Sequence, residues 1–389
     1  PHMVEVMTRP GVLTGGAGQV VNDLFQSMEL SDVASDVVMD GHRVWGAQST
    51  GEQGSRVSLP LGLRPFVHCY DTEHREAAGI AKEDVRNETG LDFSDANDSA
   101  VANIYSQLQD WGGPSDVNNY FPDTAGMKQS DEEYLSAYIP MFGGSEAGVV
   151  TVDGSEQAID TDAGRAAVEW QFRNIENGNF HENSINHGDE ESTTLHQSGQ
   201  ITNNSIQDST DLWANYRTEQ PGAFADQDGP QAEGKYTWTA PYNGGTQAYI
   251  SWLPSLGFIA DANWNQDRLD ATADLLDFWV ADPDHALFNA QELGFVPAAP
   301  DQINSVDYYG STPQHVEFWR EACNWFLQNV TPTTIPAVPG ASAITYQIPR
   351  RMHQRAAQEI NSGTSIEDAV DEAVTFAGEE IQAVIDENQ

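Results

Sequence analysis

The chain has 389 residues, more than one hydrophobic core usually serves, and 39% of them are hydrophobic, so we expect two folded lobes and not a disordered chain. It carries 60 acidic residues against 17 basic ones, a formal net charge of -43, with the acids spread from end to end. Because binding to nucleic acid needs a basic surface, this composition excludes nucleic acid as a partner.

The acidity predicts a protein that works in concentrated salt, from an extreme halophile. At low ionic strength such a surface repels itself and destabilises the compact state. At molar salt the Debye length falls to roughly 3 Å, which screens that repulsion. The same charge opposes self-association at low salt, so we expect a monomer.

The front of the chain alternates strand and helix signals. A strand is predicted at 4–8, a glycine-rich loop at 11–18, a helix at 20–28, a strand at 36–39 and a third extended segment at 59–70. This order predicts an α/β sheet, whose ligands bind at the carboxyl ends of the strands.

The remainder of the chain is predicted to be mostly helical. Helices are predicted at 132–141, 163–176, 269–280, 284–291, 312–328 and 365–387, and another beginning near residue 190. A short hairpin is predicted at 149–154 and a strand-like segment at 249–259. A loop is expected at 111–131.

Metal-ligating residue types occur near one another, but their spacing does not support a metal site. The cluster comprises His181, Glu182, His187, Asp189, Glu190 and His196. It matches no metal-binding pattern, so a polar loop and helix start is the favoured interpretation. Residues 261–267 resemble half of a calcium loop without its glycine and bidentate glutamate. We therefore predict no metal, no cofactor and no catalytic residue.

The cysteines and the chain start bear on where the protein works. Cys69 and Cys323 are far apart in sequence, and two buried thiols are favoured over a single bridge. No apolar run is long enough to span a membrane. The opening Pro1-His2-Met3 resembles a cloning remnant, so we expect that a native export signal has been removed. Four Asn-x-Ser/Thr sequons favour an extracellular location: Asn87, Asn97, Asn203 and Asn329.

Several segments follow one another in a recognisable order. Phe66-Val-His-Cys-Tyr-Asp precedes a helix, Met141-Phe-Gly-Gly precedes Val152-Asp-Gly, and Phe278-Trp with Asp282-Pro precedes Gly294-Phe-Val-Pro-Ala. Ser365-Ile-Glu-Asp-Ala then begins a C-terminal helix. In this shared order the chain resembles the extracellular solute-binding proteins of ABC importers, in the maltose-binding class of sugar-binding proteins.

The resemblance implies a two-lobed α/β fold of the periplasmic-binding-protein type II kind, in which a mixed sheet flanked by helices forms each lobe. Lobe one would be 1–62 plus 256–302, shortened relative to the family, and lobe two 63–255 plus 303–389. The chain would cross between them near 61–65, 245–256 and 301–309. The ligand would lie in the cleft between the lobes, and hinge closure would bury it.

The function implied is capture of a small-molecule ligand, a sugar above all, and its delivery to the membrane subunits of an ABC permease, without catalysis. The location implied is extracellular or at the cell surface, with membrane association through a removed N-terminal signal or anchor. A sugar offers ring faces to aromatic residues and hydroxyls to carboxylates or Arg. The candidate ligand-binding residues are Asp40, His42, Arg43, Trp45, Arg64, Glu132, Glu133, Tyr134, Trp213, Trp252 and Tyr346.

Two other functions stay open from the sequence. A glycoside hydrolase needs two carboxylates facing each other across a cleft, and 60 acids leave room for such a pair. A sensory or adhesive relative would keep the fold and lose transport, and the shortened first lobe is compatible with that.

Overall fold

The fold is taken from a computed structural model. It describes residues 3–6, 58–60, 64–65, 68–85, 91–128, 133–144, 146–151, 154–204, 236–239, 242–244, 248–252, 255–258, 331–333, 340 and 342–387, with single positions between 267 and 278. The strands are β1 Met3–Val6, β2 Ser58–Pro60, β3 Arg64–Pro65, β4 His68–Asp71, β5 Leu91–Asp92, β6 Asn203–Asn204, β7 Tyr236–Thr239, β8 Tyr242–Asn243, β9 Ala248–Trp252, β10 Ser255–Phe258 and β11 Thr331–Thr333.

The helices are α1 Thr72–Ala77, α2 Lys82–Val85, α3 Ala100–Trp111, α4 Glu133–Gly143, α5 Asp162–Glu176, α6 Asp189–Gln197, α7 Ile348–Ser362 and α8 Ile366–Glu387. A 3-10 turn spans Ser184–Asn186, and a π-helical turn spans Ala343–Gln347 directly before α7. Of the described helices, none has the length and apolar character that crossing a membrane requires.

Local sequence signals explain several helix limits. Ser99 and Thr161 precede α3 and α5, and each side chain accepts a backbone N–H from the first turn. Gly112 and Gly363 end α3 and α7 in the left-handed conformation that glycine adopts without strain. The predicted helices at 132–141, 163–176 and 365–387 are confirmed as α4, α5 and α8, and the one near residue 190 as α6.

The extended segments predicted at 59–70 and 249–259 were each wrong as single strands. The first divides into β2, β3 and β4, and the second into β9 and β10. Pro60, Pro65 and Pro254 fall at or between these pieces, and a proline has no N–H to give to a strand ladder. The predicted elements at 11–39, 284–291 and 312–328 lie outside the described residues.

The strands form several small sheets. One sheet has the order β1-β10-β2, all antiparallel. A second has the order β11-β9-β3, in which β3 is antiparallel and β11 parallel to β9. A third has the order β6-β4-β7, and β5 pairs with β8. The mixed pairing agrees with the predicted mixed sheets.

The helical core joins the C-terminal helices to the middle of the chain. α8 buries residues at helical spacing, among them Val370, Val374 and Ile381. α8 packs against α7 and α5, and α5 packs against α4. Trp170 on α5 is buried there.

A buried carboxylate fixes the middle of this region. Asp123 is fully buried, and its Oδ2 accepts from the Tyr105 hydroxyl at 2.7 Å and from Asn203 Nδ2 at 2.6 Å. Its Oδ1 accepts the backbone N–H of Thr124 at 2.7 Å. These four residues, here called the Asp123 network, tie α3 to the β6 strand. Charge-assisted hydrogen bonds of this kind satisfy a buried charge that would otherwise be costly.

Candidate functional site

The chain passes twice between the β1-β10-β2 sheet and the β11-β9-β3 sheet. The first passage lies between β2 and β3, with three residues between them, and the second between β9 and β10, with two. These passages fall within the predicted first and second crossings between lobes; the lobe boundaries themselves stay a prediction. Two short passages next to each other are the kind of connection that can act as a hinge.

Two predicted ligand residues meet at these passages. Arg64 in β3 is the register partner of Trp252 in β9, and Pro65 is the partner of Ser251. The fold therefore pairs the backbone of a cationic residue with that of an aromatic residue 188 positions further along the chain.

Helix α4 lies alongside β9. A Cβ at Gly244, which directly follows β8, would lie 3.1 Å from the Met141 carbonyl oxygen, so the C-terminal end of α4 lies beside the end of β8. Glu133 and Tyr134, two further predicted ligand residues, form the first turn of α4 at its other end.

A cluster of aromatic side chains anchors α4. The Phe93 ring lies 4.8 Å from Phe142 and 4.7 Å from Trp170, and Tyr138 lies 5.3 Å from Trp170 between ring centroids. Tilted and edge-to-face pairs at these distances each add about 0.5–1.5 kcal/mol beyond their buried area. The helix that carries Glu133 and Tyr134 is thus held on a rigid base.

Tyr346 lies in the π-helical turn before α7 and is half-buried. This turn contacts α4 and α8. Helix α4, which carries Glu133 and Tyr134, therefore contacts both β9, which carries Trp252, and the π-helical turn. π-helical turns are rare and occur often at functional sites.

The other predicted ligand residues cannot be placed. Asp40, His42, Arg43, Trp45, Glu132 and Trp213 lie outside the described residues. Their assignment stays a prediction.

The polar groups behind the π-helical turn are only partly satisfied. His353 on α7 lies 2.9 Å from Gln171 Oε1 on α5, between Nε2 and that oxygen. Gln171 Nε2 and the Thr345 hydroxyl, both buried, have no hydrogen-bond partner among the described residues. Burial lowers the pKa of His353 from 6.5 to about 4, so the ring is neutral at pH 7.

Ring packing and a hydrogen bond link the histidine-rich loop to the segment around Thr124. The rings of His181 and His187 pack edge to face at 4.6 Å, and His187 Nδ1 lies 3.0 Å from the Thr124 hydroxyl. Burial, followed by the neighbouring His181, lowers the pKa of His187 to about 4. No three metal-ligating side chains come together among the residues that the structure describes.

Cys69 is a buried free thiol in β4, and burial raises its pKa well above the usual range. Cys323 lies outside the described residues, so the prediction of two buried thiols is tested only for its first member.

The sequence reasoning missed the π-helical turn, Pro349 and the helix α7 that follows. The signal was present: Pro349 is followed by buried residues at helical spacing, Met352, His353 and Ala356. No element was predicted there, because a proline is compatible with a loop as well as with a helix start.

The arrangement of sheets and helices is that of the two-lobed periplasmic binding proteins, and comparison with solved structures confirms this predicted fold and the resemblance to it. Neither a protein-family profile nor a curated protein sequence matches the chain.

Three similar structures illustrate the likeness. A periplasmic-binding protein from Synechococcus sp. MITs9220, solved in complex with zinc, is 15% identical with a TM-score of 0.68, covering 100% of this chain and 86% of its own. Maltose-bound MalE3 of T. maritima is 16% identical with a TM-score of 0.64, covering 98% and 84%. An ABC transporter solute-binding protein from Thermotoga lettingae TMO, bound with alpha-D-tagatose, is 14% identical with a TM-score of 0.64, covering 99% and 85%.

Proposed function

We propose that this chain is an extracytoplasmic solute-binding protein, which captures a carbohydrate between two lobes and delivers it to an ABC permease. The observation that carries the proposal is the pairing of Arg64 with Trp252 at two adjacent passages between sheets, in a fold shared with sugar-binding proteins. The chain supplies binding and no chemistry.

The roles of the residues follow from sugar chemistry. Trp252 and Tyr346 offer flat faces to the C–H groups of a sugar ring. Arg64 donates several hydrogen bonds in a fixed fork, and Glu133 accepts them, so together they match the donor and acceptor capacity of sugar hydroxyls. Tyr134 adds either a ring face or a hydroxyl. Asp40, His42, Arg43, Trp45, Glu132 and Trp213 complete the proposed set.

Closure would act through the two passages. Arg64 directly follows the first passage, and Trp252 directly precedes the second. A ligand that contacts both residues therefore binds next to the segments whose backbone angles change on closure. A third crossing at 301–309 completes the proposed hinge.

The test is a thermal-shift screen of the protein in about 2 M KCl against mono- and disaccharides, polyols and amino acids. A ligand at a hundred times its Kd stabilises the fold by about 2.7 kcal/mol, which raises the melting temperature measurably. The expected result is a shift with one class of sugar, and recovery of that sugar intact. Cleaved sugar would establish a hydrolase instead, and no shift with any sugar would overturn carbohydrate capture.

Two variants locate the site once a sugar binds. Arg64→Ala and Trp252→Ala should each weaken binding at least about tenfold, since each removes a group that bonds or stacks with the ligand. Arg351→Ala is the matched control: its guanidinium is bound to Glu380 on the α7–α8 surface, and its loss should leave the Kd unchanged. Equal Kd values for all three variants would show that the ligand binds elsewhere.

We further propose a halophilic, monomeric protein. A net charge of -43 with 17 basic residues supports this, because only screened charges of that density allow a compact state. The expected result is a melting temperature that falls steeply as salt drops below molar, with a monomeric mass in molar salt by light scattering. A melting temperature unchanged between about 0.1 M and 2 M salt would disprove the halophilic assignment.

Export and surface attachment belong to the same proposal, because a ligand is delivered to a permease from outside the membrane. The test is fractionation of the native organism with an antibody against the chain. Recovery in the cytosol would contradict it.

A further inference from the structure

The helical segment that leads into α7 is not α-helical throughout. In the turn Ala343–Gln347 the hydrogen bonds close over five residues, and the Ile348 N–H donates to the Ala343 carbonyl. An α-helix closes over four. One residue more than an α-helix would need is therefore packed into this turn.

Pro349 explains why the extra residue is there. It is buried at the second position of α7, and helical chain precedes it directly. A proline inside helical chain donates no hydrogen bond, and its ring collides with the carbonyl four residues before it, here that of Thr345. A π-helical turn at this place, which is wider than an α-helical one, is expected to relieve that collision.

The turn also leaves a buried polar group unsatisfied, which an ordinary core avoids. Thr345 is 2% exposed, and its hydroxyl has no partner in the described part of the chain. A buried hydroxyl without a partner destabilises the fold, so the turn is kept at a cost in stability.

The extra residue has a geometric consequence for Tyr346. Each residue of an α-helix advances the chain by about 100° around the helix axis. One extra residue therefore rotates the side chains that precede it by about 100° relative to α7, compared with a continuous α-helix. The turn lies against α4, which carries Glu133 and Tyr134. The direction of Tyr346 relative to α4 is therefore decided by the π-helical turn.

We propose that Pro349 is a positioning residue for ligand binding, because it maintains the π-helical turn and thereby sets the place of Tyr346 in the carbohydrate site. This rests on the proposed function. Pro349 itself need not touch the ligand.

The first experiment is a double-mutant cycle on the full chain in molar salt, with the sugar found by the thermal-shift screen and its Kd measured by calorimetry. Pro349→Ala should weaken binding about tenfold in the parent but less than twofold in a Tyr346→Ala background. Tyr346→Phe keeps the ring, so in that background the tenfold effect of Pro349→Ala should return. Pro114→Ala, a loop substitution remote from α7 in sequence, is the matched control and should leave the Kd unchanged.

The second experiment needs no ligand. Amide hydrogen exchange of the peptide covering 343–348 should slow in Pro349→Ala, because the turn can then form four-residue hydrogen bonds, while exchange across 366–387 stays as in the parent. Unchanged exchange at 343–348 would show that Pro349 does not maintain the turn.

The outcomes separate the proposals. Equal losses of affinity from Pro349→Ala with and without Tyr346, or no loss at all, would overturn the positioning role while carbohydrate binding stands. A parent that binds no carbohydrate would overturn the proposed function and the positioning role with it, although the exchange result would still decide what maintains the turn.

Discussion

Two buried polar regions of this molecule differ in how their central group is hydrogen-bonded. The Asp123 carboxylate accepts hydrogen bonds from Tyr105, Asn203 and the Thr124 backbone. In the π-helical turn before α7 the buried Thr345 hydroxyl has no partner among the described residues, and neither has Gln171 Nε2 on α5. The contrast teaches that a buried carboxylate is met by donors, whereas a neutral group can stay unbonded, because burying an unpaired charge costs far more than burying an unpaired hydroxyl or amide.

Asp123→Ala should produce the largest effect. It removes the acceptor of three buried donors, and each unsatisfied donor costs about 1–3 kcal/mol, so we expect a loss of roughly 4 kcal/mol in the free energy of unfolding. Denaturant unfolding in molar salt measures it. Asp110→Ala, an exposed acid on α3, is the control and should change stability by less than about 0.5 kcal/mol. A loss below about 1 kcal/mol for Asp123→Ala would mean that the network contributes little to stability.

His353 tests the second region through pH. Its pKa is about 4 in the folded state against an ordinary 6.5, because burial disfavours the charged ring. Between these values the unfolded chain binds a proton that the folded chain does not, so stability is complete above about pH 6.5 and falls as the pH decreases toward 4. From pH 7 to 5 the parent should lose about 2 kcal/mol more than His353→Gln.

The control for this prediction is the interval from pH 7 to 8, where the two proteins should change alike. His68, whose burial lowers its pKa to about 3, is present in both proteins and cancels in the difference. Parallel stability curves from pH 7 to 5 would show that His353 is not held in its neutral form by the fold.

Thr202→Val and Thr345→Val make the same chemical change, the first next to Asn203 of the Asp123 network and the second in the π-helical turn. The buried Thr202 hydroxyl lies 3.0 Å from His74 Nδ1 and 2.5 Å from the Tyr120 hydroxyl, so its removal should cost about 1.5 kcal/mol. Calorimetry of both variants in molar salt measures the difference. A cost near zero for Thr202→Val would remove the contrast between the regions.

Thr345→Val should have the smallest effect. Its hydroxyl has no partner among the described residues, so a methyl of the same shape should leave stability within about 0.5 kcal/mol or raise it. A loss above about 1 kcal/mol would mean that the hydroxyl contributes a hydrogen bond after all.

Much of the helical part of the fold was predictable, because the residue spacing that predicts a helix lies within one short stretch of the sequence. α4, α5 and α8 follow from apolar spacing, and α5 also from Thr161 at its start and from the Asn177-Gly178 stop. The strands were harder to predict. Residues 249–259 have one continuous strand pattern, and nothing local says that β9 and β10 pair with different sheets.

The site was predictable as a set of residue types and not as an arrangement. Arg64 and Trp252 were candidates on family order, but only the register of β3 against β9 makes them neighbours. The π-helical turn was not predicted, because Pro349 alone is compatible with a loop, a helix start or a kink.

The sequence alone determined the excess of acidic over basic residues, the helical periodicity and the order of segments that resembles that of the binding proteins, since all of these depend on composition and on residues close in the chain. Only the tertiary structure decided which strands pair at the passages, that donors from Tyr105 and Asn203 meet the Asp123 carboxylate, and where the turn before α7 widens. Each of these depends on partners far apart in sequence, and a buried group's free energy is set by the atoms around it and not by its neighbours along the chain.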